Sequence, residues 1–162
     1  MTEREAALRK IAVGGMFHAS VRGHTDGPSY PCLTLQVRED AIFARRMTTQ
    51  SVHWFDRKTG VEIDDDRIVI DSVEPLPDDI REIMLGIDRL FREAEHRRAE
   101  EPNWVPAENH FHQSKDQIRA LLFIGEFYSA HPLSPRHLPI QMGRWRRNRR
   151  RRGHESQHHC GL

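Results

Sequence analysis

Apolar and polar positions alternate over most of the stretch from Cys32 to Ile63, CLTLQVREDAIFARRMTTQSVHWFDRKTGVEI. Leu33, Leu35 and Val37 interleave with Thr34, Gln36 and Arg38, the period of two that a half-buried strand requires. Glu39-Asp40 is a short polar break before Ala41, Ile42, Phe43 and Ala44, at hairpin spacing. Thr48 to Ser51 breaks the pattern again, and Val52 and Trp54 then alternate with His53 and Phe55. Trp54 reads as a core residue of that strand. Asp56-Arg57-Lys58-Thr59-Gly60 is the clearest turn, because Asp satisfies backbone donors at its start and Gly takes the positive φ of a bulged hairpin. Val61 and Ile63 return as the next strand.

On either side of this stretch the periodicity changes. Thr2-Glu3-Arg4-Glu5 fits a capping box ahead of Ala6, Ala7, Leu8, Ile11 and Ala12, and Gly14-Gly15 ends that short helix. Met16 to Val21 reads as a first strand, Arg22 to Pro31 as a loop broken by glycine and proline, and Arg67 to Val73 as a last strand. Ile80, Ile83, Met84, Ile87, Leu90, Phe91 and Ala94 then form one apolar helical stripe. Asp78 and Asp79 suit its N-terminal dipole, and Arg97 and Arg98 its C-terminal end. After a connection over 101–113, Ser114 and Gln117 make a second capping box. Behind them Ile118, Leu121, Leu122, Phe123, Ile124, Phe127 and Tyr128 make a helix apolar on most sides, the mark of burial or of an interface.

Strands grouped together and helices grouped together predict an α+β fold. It has a short N-terminal helix, a small antiparallel β-meander of five to six strands and two longer C-terminal helices. The strand lengths also fit a strongly bent meander of the SH3-like barrel type. The expected organisation is a single domain over 1–135, with a β-module at about 16–73 and helices at about 78–100 and 115–130. A disordered tail rich in Arg and His is expected over 136–162.

Charge alters this picture more than composition does. The net charge is +1, but Arg144, Arg146, Arg147, Arg149, Arg150, Arg151 and Arg152 fall within nine positions, so setting those seven aside leaves −6. An acidic body with a basic tail is the asymmetry of an interaction tail. Guanidinium groups fork onto phosphate oxygens, and Trp145 among them is placed to stack on a base. Seven phosphate contacts on a duplex would give a salt slope of about −6 at most. Arg45 and Arg46, near His53, Trp54, Arg57 and Lys58, add cations to the sheet. Being successive, the two point to opposite faces.

Other chemistry is sparser. His24 and Asp26 in the first glycine-rich loop are candidates for acid–base catalysis, and an Asx turn explains the same residues. His110 and His112, two apart, would reach one metal from an extended segment, yet no third ligand stands at a diagnostic spacing. No phosphate-cradling loop or nucleophile elbow occurs, so no cofactor is expected. Cys32 and Cys160 make no disulfide framework. No apolar run approaches the ~20 residues of a membrane span, and the acidic start lacks a secretory pattern, so a cytoplasmic protein without membrane contact is expected.

These features favour a non-enzymatic, nucleic-acid-associated accessory or regulatory protein. The first alternative is a protein–protein adaptor or inhibitor that uses the acidic body and helix 114–130, the latter also suited to a homodimer. The second is a small His-dependent nuclease or metal-dependent hydrolase.

Overall fold

The computed structural model describes residues 1–22, 29–106 and 114–133. In chain order they form α1 (Glu3–Arg9), β1 (Met16–Val21), β2 (Ser29–Val37), β3 (Ala41–Arg46), β4 (Val52–Asp56), β5 (Ile68–Ser72), α2 (Asp78–Glu100) and α3 (Lys115–Ala130). The fold is α+β, with a five-stranded antiparallel sheet in the order β4-β3-β2-β1-β5, curled into a half-barrel. The expected basic tail lies outside the described residues.

Both sequence-expected N-caps are formed. Thr2 Oγ1 accepts from the Glu5 amide at 3.1 Å, and Ser114 and Gln117 exchange side-chain bonds at 3.0 and 3.2 Å. Each satisfies amides that the first turn of a helix leaves without a partner.

Curling gives the sheet two apolar faces and the protein two cores. Phe17, Ala19, Cys32, Ile42, Ala44, Phe55 and Ile70 pack together with Leu8 and Ile11 at α1. Phe17 on β1 and Phe55 on β4 meet edge-on at 5.4 Å although two strands separate them in the sheet. Only a strongly bent sheet brings them together. Their neighbours point the other way: Met16 and Leu33, paired across β1 and β2, join Met47, Met84, Ile87, Ile124 and Tyr128 under the helix pair. The stripe expected on α2 is the one that packs, with Met84, Ile87 and Ala94 buried. On α3 the sheet and α2 bury only Ala120, Ile124 and Tyr128.

In place of a sixth strand, a short segment joins the two edges of the curl. Phe55 bridges Glu62, and Val61 bridges Val69. Backbone bonds run from Ile63 N to Trp54 O at 2.9 Å, from Glu62 N to Ile68 O at 3.0 Å and from Ile70 N to Gly60 O at 2.9 Å. The alternation here is the reverse of the one the sequence suggests: Glu62 is buried, while Ile63 is 58% exposed. The carboxylate goes inward because cations wait there, as described below.

Gly60 makes this closure possible. Its φ is +76°, and a Cβ placed on it would stand 2.7 Å from Arg4 Nη2 and 3.3 Å from Ile70 Cβ. Arg4, on an otherwise ordinary helix start, is buried and donates to Thr59 O at 2.9 Å and Ile70 O at 2.8 Å. Burial and the neighbouring Arg22 cation lower its pKa from the usual guanidinium value. Gly60→Ala combines a disfavoured φ with a clash and is expected to lower stability by about 1–3 kcal/mol, read from the midpoint of a urea unfolding curve.

Candidate functional site

On β3 and β4 the residues that alternate with the core point outward. Ile42 pairs with Phe55 on the inner face, and the next pair, Phe43 with Trp54, lies on the outer one. Phe43 and Trp54 are half-buried and stacked, with ring centroids 4.6 Å apart and planes 28° from parallel. The Arg38 guanidinium lies 4.5 Å from the Trp54 centroid, in cation–π range. Trp54 is therefore not the core residue its strand position suggests; register carries it to the other face. Arg57 is committed elsewhere, its Nη1 donating to Arg38 O at 3.0 Å and its Nη2 to Arg9 O at 3.4 Å at the end of α1. The exposed Lys58 follows in a turn held by Asp56 Oδ1, which accepts from the Lys58 and Thr59 amides at 2.8 Å each. An aromatic pair with the Arg38 cation over it is a surface on which a planar base can stack while a phosphate finds charge.

Arg45 and Arg46 take the opposite faces that their succession requires, and both meet carboxylates. Arg45 forks onto Asp88 of α2, Nε to Oδ1 at 3.0 Å and Nη2 to Oδ2 at 2.8 Å. The side chains are 12% and 3% exposed. Gln50, held at φ 65°, donates its amide to Asp88 Oδ1 at 2.9 Å and to Met47 O at 2.8 Å. Arg46 donates to Glu62 Oε2 at 3.0 Å and lies 3.9 Å from the Tyr30 ring centroid. Glu62 Oε1 takes His53 Nδ1 at 2.5 Å, and the other imidazole nitrogen meets Ser51 Oγ at 2.9 Å. Both arginines act first as structural ties between elements, and their charge is largely compensated.

A third polar cluster joins β1 and β5. Asp71 accepts from His18 Nδ1 and Ser20 Oγ, each at 2.6 Å, and the His18 ring stacks on Tyr128 at 5.0 Å. Burial pushes the Tyr128 phenol well above its ordinary pKa, and its hydroxyl finds no hydrogen-bond partner among the described residues. Cys32 is wholly buried, and burial likewise raises its thiol far above the usual range, which keeps it protonated.

A cavity of about 770 Å³ opens beside α1, floored by Ile11, Met16, Leu76 and Leu133. Lys10, Arg81 and several carboxylates share its wall, so its charge singles out no class of ligand. Among the described residues no group of three or more His, Cys, Asp or Glu is placed to hold a metal ion. No described helix is long and apolar enough to cross a membrane.

His24, Asp26, His110 and His112 lie outside the described residues, as do Trp145 and the arginines from Arg144 to Arg152. Three residues that organise the described surface escaped the sequence reading: Arg38, Glu62 and Asp88. Asp88 did leave a signal, since it stands four residues after Met84 and three before Phe91, inside the apolar stripe. No protein family, curated protein or solved structure matches the chain.

Asp88→Ala strands the Arg45 guanidinium at the sheet–helix joint and is expected to cost about 3–5 kcal/mol, whereas replacing both residues with apolar ones should recover much of the loss. Urea unfolding of the two single variants and the double variant checks this. In a Cys160→Ser background, Cys32 is expected to react with a thiol reagent at pH 8 only as fast as the protein opens, and at once in denaturant.

Proposed function

We propose that this protein is a non-enzymatic, nucleic-acid-associated accessory or regulatory protein that engages single-stranded segments. The observation that carries the reading is the Phe43–Trp54 stack with Arg38 over it on the outer face of the sheet. Every base has a π-face, so such a platform binds without reading sequence. The arginines of 144–152 supply the affinity for phosphate that the acidic body lacks. Arg45 and Arg46 hold the platform's strands in place rather than leading the contact, because each is already committed to a carboxylate.

A second reading, a protein–protein adaptor, is favoured by the apolar side chains that α3 leaves exposed. It differs in needing neither Trp54 nor the arginines.

The deciding experiment is binding to single- and double-stranded oligonucleotides across a salt series, using the full chain, a 1–143 truncation and Trp54→Ala. The reading requires a preference for single strands. Trp54→Ala should cost about 1–3 kcal/mol, roughly 5- to 150-fold in affinity. Truncation should flatten the salt slope. Equal binding by the full chain and Trp54→Ala would remove the platform from the account, and no binding by any form would remove nucleic acid altogether.

A further inference from the structure

Helix α3 turns Ala120, Ile124 and Tyr128 toward the rest of the protein. On its opposite side Ile118 is 47% exposed, Leu122 69% and Phe123 38%. Large apolar side chains gathered on one helix face mark a surface that is covered in use. On the Leu122 side of the helix the charges run in one direction, with Asp116 off that side beside Phe123. Lys115 and Arg119 occupy the N-terminal half of that face and Glu126 the C-terminal half, all exposed.

Helix geometry turns this order into a register. At ~1.5 Å per residue, Arg119 lies about 4.5 Å to one side of Leu122 and Glu126 about 6 Å to the other. A two-fold axis beside Leu122, reversing the second helix, sets Arg119 within about 1.5 Å of the axial level of Glu126 on the other copy. The pairing occurs twice by symmetry, with Leu122 against Leu122 between the two. The other flank agrees. Gly125 stands about 20° around the helix from Ile118, and the same axis brings Ile118 over Gly125 of the second copy. Among the described residues, a Cβ on Gly125 would meet nothing within 4 Å outside the helix's own backbone. Glycine inside a helix weakens it, and in this packing it gives the incoming Ile118 room. A parallel two-fold would instead carry Arg119 and Glu126 to opposite flanks of the seam, Arg119 beside Ile118 and Glu126 beside Gly125, and no charge pair would form.

We infer that α3 is a self-association surface, on which two copies of this chain pack antiparallel with Leu122 at the centre and reciprocal Arg119–Glu126 pairs at the edge. The inference stands apart from the nucleic-acid reading, since it uses neither the aromatic stack nor the arginines of 144–152.

Sedimentation velocity of the full chain over a concentration series tests it. A monomer–dimer equilibrium is expected. Leu122→Glu, at a solvent-exposed position, should weaken it at least about tenfold, and far-UV circular dichroism should show an unchanged fold. Arg119→Glu should weaken it as well, and Arg119→Glu with Glu126→Arg should restore it to within about threefold, because the reversed pair has the same geometry. A chain that stays monomeric at its highest soluble concentration overturns the inference and assigns the face to a different partner. A dimer indifferent to Leu122→Glu overturns it too. A dimer that the double reversal fails to restore rules out the antiparallel pairing.

Discussion

A β-strand must send successive side chains to opposite faces, and at Arg45-Arg46 that constraint fixes the architecture. Arg45 goes outward to Asp88 on α2; Arg46 goes inward to Glu62 on the segment that joins the sheet's edges. One dipeptide thus anchors the helix layer on one side and the closure of the curl on the other. Both carboxylates are nearly inaccessible, so each would be costly if its partner were lost. The two apolar cores supply most of the burial, but burial alone does not decide which face of β3 meets which element. The ion pairs add that registry.

The same alternation explains why a chemically useful surface is left outside. Inside the curl Ile42 and Phe55 are consumed by packing; one step along, Phe43 and Trp54 have no second layer to bury them fully. Their mutual stacking and the Arg38 guanidinium recover part of the burial that they lack. A platform of this kind combines rigidity, from its position on paired strands, with accessibility, from the limited reach of the helix pair. Rigid presentation lowers the ordering cost of binding.

Much of the fold was legible in the pattern. The Thr2 N-cap, the Ser114–Gln117 capping box, the helix stripe from Ile80 to Ala94 and the alternation of β2 to β4 each follow from local rules that the tertiary structure respects. What the pattern hid were long-range pairings. Val61-Glu62-Ile63 read as apolar–polar–apolar and so put Glu62 outside, because nothing nearby in the sequence reveals that Arg46 and His53 will meet it. Arg4 enters the sequence pattern only as part of the Thr2–Glu5 cap, yet its acceptors belong to Thr59 and Ile70, dozens of residues away. Trp54 alternates as a core residue of its strand would, whereas register pairs it with Phe43 on the outer face. The arginines from 144 to 152 were conspicuous from composition alone and lie outside the described residues, so their reading still rests on charge.

The segment from Gly60 to Ile63 has a further effect. Sheets present two edges, and an unpaired edge is a template on which another chain can add a strand. Here backbone groups of Trp54 and Asp56 on one edge and of Ile68 and Ile70 on the other already bond to that segment, while Asp71 O accepts from the Leu133 amide. An extended peptide seeking to lengthen this sheet would have to displace native bonds before making its own. The fold thereby resists edge-to-edge aggregation along these stretches and closes them to partners that recognise proteins by strand addition. Recognition is left to side chains rather than to backbone.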